Sequence, residues 1–256
     1  MTRTHGYLLD NRQAEAGERF DAFAALFDPT TFRHFERFGV GPGWRCWEVG
    51  AGGTSVVSWL AKKVGPTGRV VATDIDTSLL TPAARPPVEA RVHDVGADEP
   101  PGEGFDLVHA RLVLVHVPDR ERALRSMIEA LRPGGRLLIE DADPALQPLL
   151  CPDERGPEQQ LGNRLRRGFR KLLADRGADL SYGRKLPRLL RGHVCSVRRG
   201  CAGWRLTRTS RSPRPPATPW SPPLCARSAI SSSPRASPPT RRSTTTSPMS
   251  PLVAWT

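Results

Sequence analysis

The strongest constraint on the fold of this chain is an alternation that begins at Trp44: a short apolar run, a glycine turn, an amphipathic helix, and the pattern again. "RCWEV" reads as a strand too apolar to keep one face in water, and "GAGGTS" turns the chain. The helix that follows, "TSVVSWLAKKV", sets Val56, Leu60 and Val64 on one face, and Gly65 stops it. "GRVVATDI", "VEARVHDV" and "FDLVHARLVLV" read as the next three strands. "DRERALRSMIEAL" is an amphipathic helix, "RPGG" a turn and "RLLIEDA" the fifth strand. Strands buried on both faces and joined through helices form a parallel sheet covered on both sides. Right-handed crossovers then make the sheet open. The predicted fold is α/β, with a doubly wound, mostly parallel sheet.

The flanks are helical on one side and patternless on the other. Residues 14–38 predict two N-terminal helices, with Phe20, Phe23, Ala24 and Phe27 on one face, a break at Asp28-Pro29, and Phe32, Phe35 and Phe38 continuing the face. Residues 158–177 predict a further helix, with Leu161, Leu165, Phe169, Leu172 and Leu173 as its apolar stripe and arginines opposite. "YGRKLPRLLR" opens one more. From Gly192 the chain is a mixture of Arg, Pro, Ser, Thr and Ala with neither period, a composition expected to be disordered. The last strands of such a sheet are therefore expected to be missing. The abrupt shift matches a GC-rich coding sequence translated out of register, with a slip expected near residue 191.

Charge changes at nearly the same boundary. Of 38 Lys and Arg residues, 14 lie beyond Asp179 with no acid among them, so the preceding residues carry 24 basic groups against 26 acids. The overall +12 belongs to the tail, which argues against a nucleic-acid-binding core. No lysine follows Lys185, which argues against a basic arm for RNA or DNA. The five cysteines include no C-x-x-C pair and no zinc spacing, and Cys46 is expected to be a buried small hydrophobe. No metal-binding set is visible. The N-terminus lacks a signal-peptide core and no run reaches membrane-spanning length, so a cytoplasmic location with no membrane partner is expected.

In a doubly wound sheet, ligands sit at the carboxyl ends of the strands where strand order reverses. Gly50 and Gly52 let backbone approach a ligand, and Asp74, ending the second strand, can accept both hydroxyls of a ribose. A dinucleotide and an adenosine compound without phosphate both fit that much. The dinucleotide fingerprint requires a third glycine where Ser55 stands. Glu48, two residues before the turn, repels a pyrophosphate and suits a ligand bearing an amine.

"WEVGAGGTS", "VVATDID", "RVHDV", "FDLVHARLVLVHVPD" and "ALRPGGRLLIED" occur in the order and spacing of class I S-adenosylmethionine-dependent methyltransferases. The chain resembles the small-molecule enzymes of the ubiquinone/menaquinone-biosynthesis type over roughly residues 1–190. Thr54 replaces the third glycine of the family's usual turn. The resemblance implies S-adenosyl-L-methionine as cofactor and a small-molecule methyl acceptor as partner. It implies that Glu48 organises the donor's amino end, and that Gly50, Ala51 and Gly52 line its methionine part. Asp74 would hold the ribose, Ile75 would pack on adenine, and Asp94 with Val95 would receive the adenine amine. Ala110 and Arg111 would border the methionine moiety, and Tyr7 would belong to a lid. The implied organisation is an N-terminal lid over residues 1–40, a donor-binding core over 41–145, a helical substrate cover over 146–191 and a basic tail over 192–256.

Methyl transfer needs chiefly alignment of nucleophile, methyl carbon and sulfur. A base matters only for a protonated acceptor, and His116 is the candidate. His109, Asp141 and Asp143 are expected near the mouth, with Glu140 and Asp141 able to orient an acceptor. Two alternatives stand beside this reading: a donor-binding relative without turnover, for want of the last strands, and a nucleic-acid methyltransferase using the tail.

Overall fold

The phenylalanine-rich N-terminal segment forms one helix, α1 (Ala16–Phe38), and not two. Pro29 lies inside it, yet Ala16 on one side and Thr31, His34, Phe35 and Phe38 on the other are all buried. Burial of that common face outweighs the one hydrogen bond that proline removes. Gly39, with φ of 78°, closes the helix in the left-handed conformation, its N–H reaching Glu36 and Phe35 carbonyls. A computed structural model describes residues 8–9, 15–197, 205–208 and 252–255.

The strand–helix alternation folds as the sequence predicts. β1 (Arg45–Val49), α2 (Ser55–Val64), β2 (Arg69–Asp74), β3 (Val88–Val92), β4 (Phe105–Arg111), α3 (Arg120–Glu129) and β5 (Leu131–Glu140) follow in order. α4 (Pro157–Asp175), α5 (Tyr182–Val197), β6 (Arg205–Arg208) and β7 (Leu252–Trp255) complete the described elements. The strand order is β3-β2-β1-β4-β5-β7-β6, with every pairing parallel. Strand order reverses between β1 and β4, which puts the switch point beside the glycine turn.

Alternation along the strands builds two cores. Trp47, Val108, Leu137 and Ile139 pack with Met127 of α3 and with Leu186 and Leu190 of α5. Cys46, Val70, Leu107 and Leu138 pack on the other face, with Phe35 of α1 and Leu60 of α2. Register carries three polar residues onto this second face. Glu48 lies opposite His109, and Glu140 lies opposite Arg111, one alternation beyond Leu138.

Several boundaries differ from the sequence reading. β4 stops at Arg111, because Leu112 adopts φ of 58° and turns the chain before "VLV" can extend it. β5 starts at Leu131, and its "RPGG" is absorbed where the register shifts between the pairs Phe105–Leu131 and Leu107–Arg136. α5 continues to Val197, past the point where periodicity fades. Where no further strands were expected, β6 and β7 are each four residues long, and β7 meets β5 at Leu138 and Ala254. Residues 198–204, 209–251 and 256 of the expected disordered tail, like Tyr7, lie outside the described residues. The expected burial of Cys46 is observed.

Candidate functional site

The turn between β1 and α2 is held open by two glycines. Gly50 and Gly52 have φ of 59° and 60°, a conformation that costs any other L-residue about 1–2 kcal/mol. Space demands glycine as well. A Cβ on Gly50 would stand 2.4 Å from a Val113 methyl, and one on Gly52 would stand 2.2 Å from the Phe20 ring. α1 thus rests an aromatic ring directly on the turn.

The acid at the end of β2 reaches back to that turn. Asp74 Oδ2 accepts from Gly52 N–H at 2.9 Å, and Oδ1 accepts from Asp76 N–H at 3.1 Å. Burial pushes the Asp74 carboxyl up from its ordinary range, against the pull of these backbone donors. Ile75, next along the chain, is half exposed. His93 N–H donates to Asp74 O at 2.8 Å, which draws the end of β3 alongside. There Asp94 Oδ1 accepts from Gly96 N–H at 2.9 Å, and Val95 is buried. Ala110 and Arg111 end β4 on the other side of the switch point. The structure therefore gathers these predicted residues at the carboxyl ends of β1 to β4.

Glu48 has a partner that the sequence does not reveal. It is buried, and its Oε2 lies 2.6 Å from Nδ1 of His109. The other ring nitrogen lies 3.1 Å from Glu140 Oε2, which also accepts from Thr31 Oγ1 of α1 at 2.6 Å. Burial alone pulls the His109 imidazole down, but Glu48 and Glu140 outweigh it and hold the group at about 9. His109 at neutral pH is an imidazolium donating from both nitrogens. Burial pushes Glu140 up, yet His109, Thr31 and Arg111 bring it below the usual carboxylate range. Arg111 donates to Asp28 Oδ1 at 2.8 Å and to Thr31 Oγ1 at 3.1 Å, and Asp28 Oδ2 accepts from Ser55 Oγ at the start of α2. One polar network thereby joins α1, β1, α2, β4 and β5. His109 is consequently not at the mouth, where the sequence reading put it; it is a fully buried member of β4.

His116 follows the turn at Leu112 that ends β4, and the buried Asp141 follows directly on β5. Burial and then Arg120 lower the His116 imidazole to about 4, so it is neutral at physiological pH. Burial pushes the Asp141 carboxyl up to about 7, although its oxygens accept from Val115 and Ala142 N–H at 2.9 and 2.8 Å. Asp143 is turned away into a two-bond pair with Arg184, at 2.5 and 2.8 Å. Thr31, Asp28 and Phe20 are the participants sequence reasoning missed. Their one trace is a polar residue, or a ring, on the buried face of α1.

Residues 47–137 match the family model described as a methyltransferase domain. The ubiquinone/menaquinone biosynthesis C-methyltransferase UbiE of Vibrio parahaemolyticus is 32% identical over 145 residues, covering 51% of this chain and 56% of that protein. Its counterpart in Ectopseudomonas mendocina is 37% identical over 163 residues, covering 56% and 64% respectively. The chain thus spans between about half and two thirds of the length of these curated relatives. Among solved structures, a SAM-dependent methyltransferase from Aquifex aeolicus is 20% identical, with 60% of this chain and 81% of that one covered at a TM-score of 0.42. The match to a methyltransferase domain runs from within β1 to within β5, and over this stretch the chain is similar to class I S-adenosylmethionine-dependent methyltransferases.

Proposed function

We propose that this protein transfers a methyl group from S-adenosylmethionine to a small-molecule acceptor in the cytoplasm. One observation carries the choice of ligand: the Gly52 N–H points at the Asp74 carboxylate. A pyrophosphate site needs such N–H groups free and no acid beside them. A ribose without phosphate needs the acid. Asp74 would take the two ribose hydroxyls, Ile75 offers an exposed apolar face to adenine, and Asp94 with Val95 would meet its amine. The glycine cradle at Gly50 to Gly52, with Ala110 and Arg111 opposite, would receive the methionine part.

Charge supports the same reading. Glu48 and Glu140 share one imidazolium, leaving a net negative charge behind the turn at neutral pH. That field favours a cationic ligand and opposes a diphosphate. Glu48 therefore acts on the donor through its charge while His109 fixes its position. The buried thiol of Cys46 accords with a reducing compartment.

The bound donor supplies an electrophilic methyl on a sulfonium. The chain's own work is to bind, align and exclude water. A protonated acceptor also needs a proton carrier, and His116, held neutral at physiological pH by burial and Arg120, is the candidate. Calorimetry with S-adenosylhomocysteine and with NAD tests the assignment. The homocysteine compound should bind, and Asp74→Ala should weaken it at least tenfold, since two hydrogen bonds to a charged group are lost. Tight uptake of NAD with indifference to the sulfur ligand would sink it.

A further inference from the structure

Helix α4 turns its apolar stripe out and part of its arginine side in. Leu161, Leu165, Phe169 and Leu172 are exposed. Asn163, Arg166, Arg170 and Leu173 recur at helical steps on another face, and the two ends of that stripe, Asn163 and Leu173, are buried. Asn163 fixes the orientation: it accepts from Leu150 and Cys151 N–H at 2.7 and 2.9 Å and donates to Cys151 O and Glu154 Oε1, both at 2.9 Å. Between the buried ends stand the guanidinium groups of Arg166 and Arg170, both half-buried. The Nε of each is buried and has no hydrogen-bond partner among the described residues. The nearby acids are taken by other cations: Glu154 by Arg167, Asp175 by Lys171, Asp143 by Arg184 and Asp179 by Lys185. Glu158 lies about two helical turns before Arg166, and no Asp or Glu follows Asp179. Two like charges one turn apart, half out of water and without a counter-charge, repel each other. An anion set between them reverses the repulsion and satisfies both donor forks.

We propose that Arg166 and Arg170 bind an anionic group, a carboxylate or a phosphate, carried by the methyl acceptor; this rests on the methyl-transfer reading and deepens it. The surroundings support the assignment. Arg166 Nη2 donates to Gln147 O at 3.4 Å, on the chain leaving β5. Gly183 N–H donates to Ala142 O at 3.1 Å and Ala145 N–H to Leu180 O at 2.9 Å, so the link between α4 and α5 is stitched to that same chain. Asp179 N–H donates to Val115 O at 2.9 Å, which ties the link also to the chain leaving β4, next to His116. The arginine face of α4 is thereby held on the side of the carboxyl ends of β4 and β5, the end at which such a sheet binds ligands. A planar guanidinium matches carboxylate and phosphate alike. Arg164, Arg167 and Lys171 are exposed and belong to the solvated side of the helix.

Melting of the full chain saturated with S-adenosylhomocysteine tests the proposal, with inorganic phosphate and acetate as probes, each against chloride at equal ionic strength. At least one probe should raise Tm by a few degrees. Arg166→Gln with Arg170→Gln should abolish that rise. Arg164→Gln with Lys171→Gln removes the same charge from exposed positions and should keep it. The tail is common to all three proteins, so its cations cancel in the comparison. A larger rise with phosphate assigns a phosphorylated acceptor, and a larger rise with acetate a carboxylic one. Equal responses from the three proteins would overturn the proposal. Phenylglyoxal, which modifies arginine, gives a readout on the parent alone: the effective probe should protect Arg166 and Arg170, mapped by peptide mass, far more than Arg164. Equal protection would overturn the proposal even if the glutamine pair failed to fold. Label from tritiated donor should enter the anionic fraction of a metabolite extract. The glutamine pair should cut that entry at least about tenfold, two charge-assisted contacts being lost, with affinity for S-adenosylhomocysteine unchanged. Label confined to neutral metabolites would contradict the proposal, whereas a parent that does not bind S-adenosylhomocysteine would sink the methyl-transfer reading instead.

Discussion

At His109 one imidazole separates two buried carboxylates, and its position dictates a pH dependence. Its pKa of about 9 in the folded protein stands above the ordinary 6.5. The stabilisation it supplies is complete below about 6.5 and is lost as pH rises through about 9. Asp141, raised to about 7, acts earlier: its contribution falls from the ordinary carboxylate range to about 7 and is level beyond. A decline between about pH 7 and 9 therefore belongs to His109, faced by Glu48, Glu140 and the Phe35 ring, with His34 nearby. Urea unfolding at a series of pH values should show that decline. His109→Gln should flatten it and lose about 3 kcal/mol at neutral pH, since two buried carboxylates are left without their cation. A level profile in the parent protein would falsify the assignment. Glu48 was legible as an acid beside a glycine turn. Its partner was not, because β1 and β4 are far apart in sequence and adjacent only through strand order.

Elements, more than residues, decide what the turn can do. α1 is anchored to β4, β5 and α2 through Thr31, Arg111 and Asp28, and it lays Phe20 on Gly52. Gly52→Ala should therefore fail for two separable reasons, the left-handed φ and the collision with the ring. The φ term alone is about 1–2 kcal/mol. Adding Phe20→Ala should recover the collision but not the φ term, so the double variant should unfold between the single variant and the parent. Denaturant midpoints of the three proteins check this order; a double variant as stable as the parent would mean that the turn tolerates a Cβ. Legibility follows the same division. Helices and strands with a clear period were readable, including α2, α3 and the existence of α4. The continuity of α1 through Pro29, the early end of β4 at Leu112 and the outward stripe of α4 were not. Each is set by what the segment packs against, and local sequence carries no record of that.

At the scale of the whole molecule, the described residues before the tail build two cores. Leu186 and Leu190 of α5 already cover the α3 side of the sheet, and Phe35 and Leu60 cover the other. β6 and β7 extend the sheet: they pair with each other over four positions, and β7 pairs with β5 at Leu138 and Ala254. The sequence signalled that the regular alternation ends after α5, and the two strands described beyond it are each four residues long. A chain ended at Val197 should therefore still unfold in one cooperative transition, with a Tm lower by only a few degrees. What it should lose is protection of the β5 edge, whose unpaired N–H and C=O groups become a template for another chain. Sedimentation velocity should then show concentration-dependent association of the shortened protein under conditions where the full chain does not associate. Loss of the cooperative transition would show instead that residues 198–256 hold the body together, and that the two cores described here are not self-sufficient.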